Sequence, residues 1–204
     1  MDFALAEALT LRNLSKMRKL LFVFALMGAF SLARAAESQP LATNNVAVGE
    51  HGTLEILTPK DWTLIHTNMN FPGNPVSVEL HAPGDAPTIR LTIFWDGFGG
   101  KPVKPTEADM EQSVSNNVRI YSLPISKEKT FALEKIHGPG VAGCFARLTD
   151  AEWTPVVKGE FLNIATGMFR SENLWGNFDL LTFDKDGPQF KAGLKVLESL
   201  RRKP

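Results

Sequence analysis

Two short runs hold the side chains from which a recognition surface is usually built. They are Asp150, Glu152 and Trp153 within Arg147–Pro155, and Arg170, Glu172 and Trp175 within Phe169–Gly176. Each places a Trp beside charged groups, the residue types enriched at binding hot spots, where a plain strand connection would be served by small polar residues. Each falls in a loop between expected strands, and the strand Gly159–Met168 separates them. The two loops then lie at opposite ends of that strand and share a face only if it curls. Two roles stay open for each Trp ring, sealing the end of a core or meeting a partner. The same loops offer two carboxylate pairs, Asp150/Glu152 and Glu160/Glu172. Glycosidase-type chemistry would need such a pair ~5–10 Å apart in a cleft.

Other chemistries find little footing. His51, His66, His81 and His137 are scattered, without the spacing of a metal site, although His66 and His81 could face each other across strands. No G-x-S-x-G elbow is present for a hydrolase triad. Gly97-Phe98-Gly99-Gly100-Lys101 lacks Walker spacing and runs into Pro102, so it reads as a mobile loop and not a phosphate cradle. The single cysteine, Cys144, sits in the apolar run Val141–Ala146 and reads as a buried, inert thiol. No metal and no cofactor are expected.

The elements that must position the two Trp loops follow from periodicity. Alternation marks strands at Thr53–Leu57, Trp62–His66, Val76–Leu80 and Thr88–Trp95, the first two joined by the tight turn Pro59-Lys60-Asp61. Thr106 opens a helix, with Asp109 three residues on as a capping-box partner; Met110, Val114 and Val118 form its apolar stripe. Further strands are expected at Thr130–Ile136, Cys144–Leu148, Gly159–Met168 and Asn177–Phe183. Asp186 should cap a final helix with Pro188 in its first turn and a buried stripe of Phe190, Leu194, Leu197 and Leu200. Arg201-Arg202-Lys203 would then be a solvated helix end. Runs of strands separated by single helices define an α+β domain, a mostly antiparallel sheet packed by two helices.

Organisation and address come from the N-terminus. Met17-Arg18-Lys19, the apolar run Leu20–Leu32 and Ala33-Arg34-Ala35 have the order of an export signal, with cleavage expected between Ala35 and Ala36. The apolar run is too short for a span of ~20 residues, so no membrane anchor is expected after cleavage. Residues before Met17 are either a long n-region or the product of an upstream start. The expected organisation is a signal at 1–35, a flexible leader at 36–52 and one domain at 53–204, periplasmic or secreted. Of the 22 basic and 22 acidic side chains, five and two fall within 1–35, which leaves the remainder near −3. That balance speaks against a nucleic-acid binder.

Pro59-Lys60-Asp61-Trp62 after an opening strand, a mid-chain helix, a long antiparallel meander and a closing amphipathic helix ending Leu197-Glu198-Ser199-Leu200 resemble the PsbP-like superfamily. That superfamily includes extrinsic PsbP of photosystem II, the Ran-binding Mog proteins and many exported bacterial proteins of unknown role. The resemblance spans about Thr53 to Leu200. It implies an αβα sandwich used mostly for non-enzymatic binding; no binding residue of PsbP or Mog has a matching motif here. The expected function is an exported, non-catalytic binding or scaffold module whose partner is an unknown protein or envelope component. The alternative is an envelope-acting hydrolase using the loop carboxylates.

Overall fold

A computed structural model describes residues 40–67, 75–84, 86–100, 104–153 and 160–204. The export signal, its cleavage point, and the stretch Thr154–Gly159 therefore lie outside the described residues. The strands are β1 (Leu41–Ala47), β2 (Thr53–Pro59), β3 (Thr63–Thr67), β4 (Val76–His81), β5 (Thr88–Trp95), β6 (Glu134–Gly138), β7 (Val141–Thr149), β8 (Asn163–Ser171), β9 (Leu174–Thr182) and β10 (Arg201–Lys203). Two α-helices accompany them, α1 (Glu107–Asn117) and α2 (Pro188–Glu198).

Seven strands form one sheet in the order β3-β4-β5-β9-β8-β7-β6, and every pairing is antiparallel. The α+β class is therefore as expected, but the order is not that of a simple meander. After β5 the chain crosses the sheet along α1 to the far edge, and four hairpin-linked strands return until β9 lies beside β5. β1, β2 and β10 form a separate small sheet.

Three expectations are corrected by that small sheet. Leu41–Ala47, expected in a flexible leader, is a strand paired residue for residue with β2. β2 and β3 do not form a hairpin, because the turn between them passes the chain from one sheet to the other. Arg201–Lys203 is no solvated helix end: it pairs with β2, and Arg201 and Lys203 both bond the buried Glu55 carboxylate, with Arg201 Nη2 at 2.6 Å. Lys203 and then Arg201 hold that carboxyl below its ordinary value against the pull of burial. A lone buried carboxylate would be costly, and two cations meet that cost.

The core has two parts, one on each face of the large sheet. Ile89, Leu91, Ile93, Phe145, Phe169, Phe178 and their neighbours pack against the small sheet and α2. On the opposite face Met110, Val114 and Val118 of the α1 segment cover Cys144, Ala146, Leu148 and Met168 on β7 and β8. Cys144 is fully buried, and desolvation pushes its thiol up to about 11, as an inert core cysteine requires.

The helix caps show one agreement and one correction. Thr106 accepts from the Asp109 N–H at 3.2 Å while the Asp109 carboxylate accepts from the Thr106 N–H at 2.8 Å, so the capping box forms. At α2 the acid is Asp184 and not Asp186. Its carboxylate accepts from the N–H groups of Gln189 and Phe190 at 2.9 and 3.0 Å, whereas Asp186 pairs with Arg147. α1 ends at Asn117 and relaxes into a wider π turn over Val118–Ser122 and a 3-10 turn over Leu123–Ile125.

Candidate functional site

α1 covers only the β7 and β8 part of its face. Beyond it, the outward side chains of β3, β4, β5 and β9 mix polar groups such as Glu79, Arg90, Thr92, Asn177 and Asp179 with the apolar Ile65, Phe94, Trp175 and Leu181. One row crosses four strands in register: Glu79, Arg90, Asp179 and Thr166. Arg90 Nε lies 3.2 Å from Glu79, and His81 Nε2 lies 3.2 Å from the other Glu79 oxygen. His66 has the opposite parity on β3, where it faces Val78, so His66 and His81 do not form a pair.

Two cavities lie where α1 and its continuation overhang this open surface. The first, about 330 Å³, is lined by Ser113 and Asn117 of α1 and by Phe94, Thr166, Trp175 and Asn177 of the sheet. Phe94 and Trp175, opposite each other on β5 and β9, stack with centroids 4.6 Å apart. The second, about 260 Å³, is lined by Arg90, Ile125, Ser126, Asp150, Phe161 and Leu181 among others. Thr166 lines the first and Arg90 the second, with Asp179 between them in register, so the two cavities adjoin as a cleft along this face. Ile120, Tyr121 and Ile125 on the helical overhang are 63, 69 and 65 % exposed, unusual for large apolar side chains.

Within the cleft floor, burial pushes the Asp179 carboxyl above its ordinary value, against the opposing effects of the Thr166 hydrogen bond and the Arg90 charge. A carboxyl raised in the folded state ionises first in the unfolded chain as pH rises. It therefore subtracts from stability above about pH 4 and does not below it. Asp179→Asn should raise the melting temperature at pH 7, and the advantage should vanish below about pH 4. A variant no more stable than the parent at pH 7 would mean that the Arg90 attraction outweighs burial.

The six residues singled out in the sequence are divided by the fold. Asp150, Glu152 and Trp153 sit beyond one end of β8, while Arg170, Glu172 and Trp175 sit at its other end. At ~3.3 Å per residue the nine-residue strand holds the two groups some 25 Å apart. Arg170 and Trp175 also lie in strands and not in a loop, since the turn is only Glu172-Asn173. Asp150 reaches the second cavity and Trp175 the first, so one residue from each group meets the cleft.

The others have structural partners. Arg170 bonds Asp96 at 3.2 Å and the Pro105 carbonyl at 3.0 Å, tying β8 to the segment that leads into α1. Glu172 pairs with Arg202 at 3.3 Å. Trp153 is half-buried, its ring 6.4 Å from Phe183, in a small aromatic group with Phe161. Asp150 Oδ1 accepts from the Glu152 N–H at 2.8 Å, which commits that carboxylate to a local turn. Glu160 and Glu172 flank β8 at opposite ends.

Among the described residues, no group of three His, Cys, Asp or Glu side chains is placed to hold a metal ion. No described helix is long and apolar enough to cross a membrane. The cleft residues Ser113, Asn117, Thr166 and Asn177 were not singled out from the sequence. The available signal was polar alternation, Arg90-x-Thr92 and Asn177-x-Asp179, in strands that turn out to be central. A central strand with one polar side has one uncovered face.

No family model matches the chain, and no curated protein does. Two solved structures are similar to it in fold. Cyanobacterial PsbP (CyanoP) from Synechocystis matches with a TM-score of 0.49 and 12% identity, over 82% of this chain and 96% of that one. A Bacteroides thetaiotaomicron protein matches with a TM-score of 0.44 and 11% identity over 74% of this chain, which spans 45% of that protein's length. A PsbP is thus among the structural neighbours.

Proposed function

We propose that this protein is an exported, non-catalytic binding module of the cell envelope that takes its ligand in the cleft between α1 and the open half of the sheet. The observation that carries the reading is the cleft itself. It joins two cavities over a floor of polar and aromatic side chains, beneath an apolar overhang that the fold leaves exposed. Export rests on the n-region, apolar run and Ala-x-Ala order, and mass spectrometry of the processed protein should find Ala36 first. The binding reading is favoured over the hydrolase alternative because Asp150 Oδ1 accepts from the Glu152 N–H at 2.8 Å and Glu160 and Glu172 flank β8 at opposite ends.

Asn117→Trp tests the reading by filling the cleft from an exposed helix position. Parent and variant are each mixed with size-fractionated envelope extract, recovered, and assayed for retained material and for melting temperature. The parent should retain a component that raises its melting temperature, and the variant should not. Equal retention by both, or none by either, would overturn the cleft as the binding site.

A further inference from the structure

The 330 Å³ end of the cleft has a lining that selects a ligand chemistry. Its walls hold two amides, Asn117 and Asn177, and two hydroxyls, Ser113 and Thr166, beside the stacked rings of Phe94 and Trp175. No ionisable side chain lines it. Two charged residues are in register with the lining: Asp179, beside Thr166 and with its carboxyl raised by burial, and Arg170, opposite Trp175 but already paired with Asp96 and the Pro105 carbonyl. A phosphate or carboxylate ligand would find no cation among the lining residues, and the Arg170 charge opposite Trp175 is already met by Asp96.

The polar groups are also unspent. Ser113, Asn117 and Asn177 make no side-chain hydrogen bond within the described fold and are exposed to the cleft, while Thr166 already serves Asp179. An amide offers both donor and acceptor, and so does a hydroxyl, so this set matches a ligand whose own groups both donate and accept. The aromatic wall asks for something further: an uncharged body whose C–H bonds can lie against an electron-rich ring. A ring carrying several hydroxyls and bare C–H bonds has both properties. The cavity is at the small end of the ~300–1,000 Å³ range of ligand pockets, which favours a short ligand or the end of a chain.

We infer that this end of the cleft is a subsite for a neutral saccharide, with Asn117 and Asn177 bonding ring hydroxyls and the Phe94–Trp175 pair supplying the apolar wall. The inference rests on the cleft being a binding site and adds the class of ligand. Because a site built to hydrogen-bond hydroxyls leaves its amides unpaired with an analogue that lacks them, it should reject deoxy sugars.

The test follows the Asn117 and Asn177 side-chain amides and the Trp175 indole N–H by two-dimensional NMR. Glucose, N-acetylglucosamine, maltose and chitobiose are titrated to millimolar concentrations. At least one sugar should shift these resonances saturably, and Asn117→Ala and Asn177→Ala should each weaken it by about tenfold. Both side chains are exposed and free of partners, so the variants should keep the parent melting temperature. No saturable shift with any of the four sugars, or shifts undiminished in both variants, would overturn the saccharide assignment. If the sugars fail while the parent still retains an extract component that Asn117→Trp loses, the cleft stands and only the ligand class falls.

Discussion

Leu197→Ala should lower stability by ~2–5 kcal/mol, the cost of removing a fully enclosed leucine and leaving its cavity. Leu197 is 1 % exposed and packs with Phe190, Val196 and Leu200 into the larger core, where α2 meets β2, β6 and β9. For a domain of this size the melting temperature should fall by roughly 5–15 °C. Leu194, which helical spacing alone places in the same stripe, is only partly buried and packs at the core's margin. Leu194→Ala should therefore cost distinctly less. Thermal melts of both variants check the ranking, and equal losses would mean that α2 is rotated from the position described.

Gly138→Ala is expected to be about as damaging, ~3 kcal/mol, for the opposite reason. A β-carbon at residue 138 would stand 1.8 Å from the Glu198 carbonyl oxygen and 2.9 Å from Val141 Cγ1. The obstacle is backbone at the end of α2, which cannot step aside as a flexible side chain can, so strand and helix must separate. A urea titration would show a lower midpoint. A midpoint unchanged from the parent would mean that α2 does not end over the β6–β7 hairpin.

These two positions show how unevenly the fold could be read in advance. Alternation placed the seven strands of the large sheet and also β2, apart from their ends, and the Thr106–Asp109 box set the start of α1, because both signals are local. Leu41–Ala47 gave no usable signal, since its apolar residues sit in pairs at the two ends around Thr43-Asn44-Asn45 and do not alternate; only the partner strand makes it a strand. The tail Arg201-Arg202-Lys203 misled for a related reason. Three adjacent cations look solvated until Glu55, distant in sequence, is found buried beside them.

The candidate site divides in the same way. Trp175 and Asp150 were conspicuous by residue type, and each does reach the cleft, but not with the companions their sequence neighbourhoods suggested. Trp153, Arg170 and Glu172 were equally conspicuous, and the fold uses them for end packing and ion pairs.

By itself the sequence determined the export-signal pattern, the α+β class, the capping box and an inert Cys144, because each depends on local order or on burial of an apolar run. Only the tertiary structure decided which strands are neighbours, and with them the site. β5 and β9 meet across nearly eighty residues of chain, and α1 is placed over β7 and β8 by the crossing that joins the two halves of the sheet. That crossing leaves Arg90, Asp179, Asn177 and Trp175 uncovered side by side. The pairing of distant strands is fixed by the whole set of competing pairings, and no short stretch of sequence carries it.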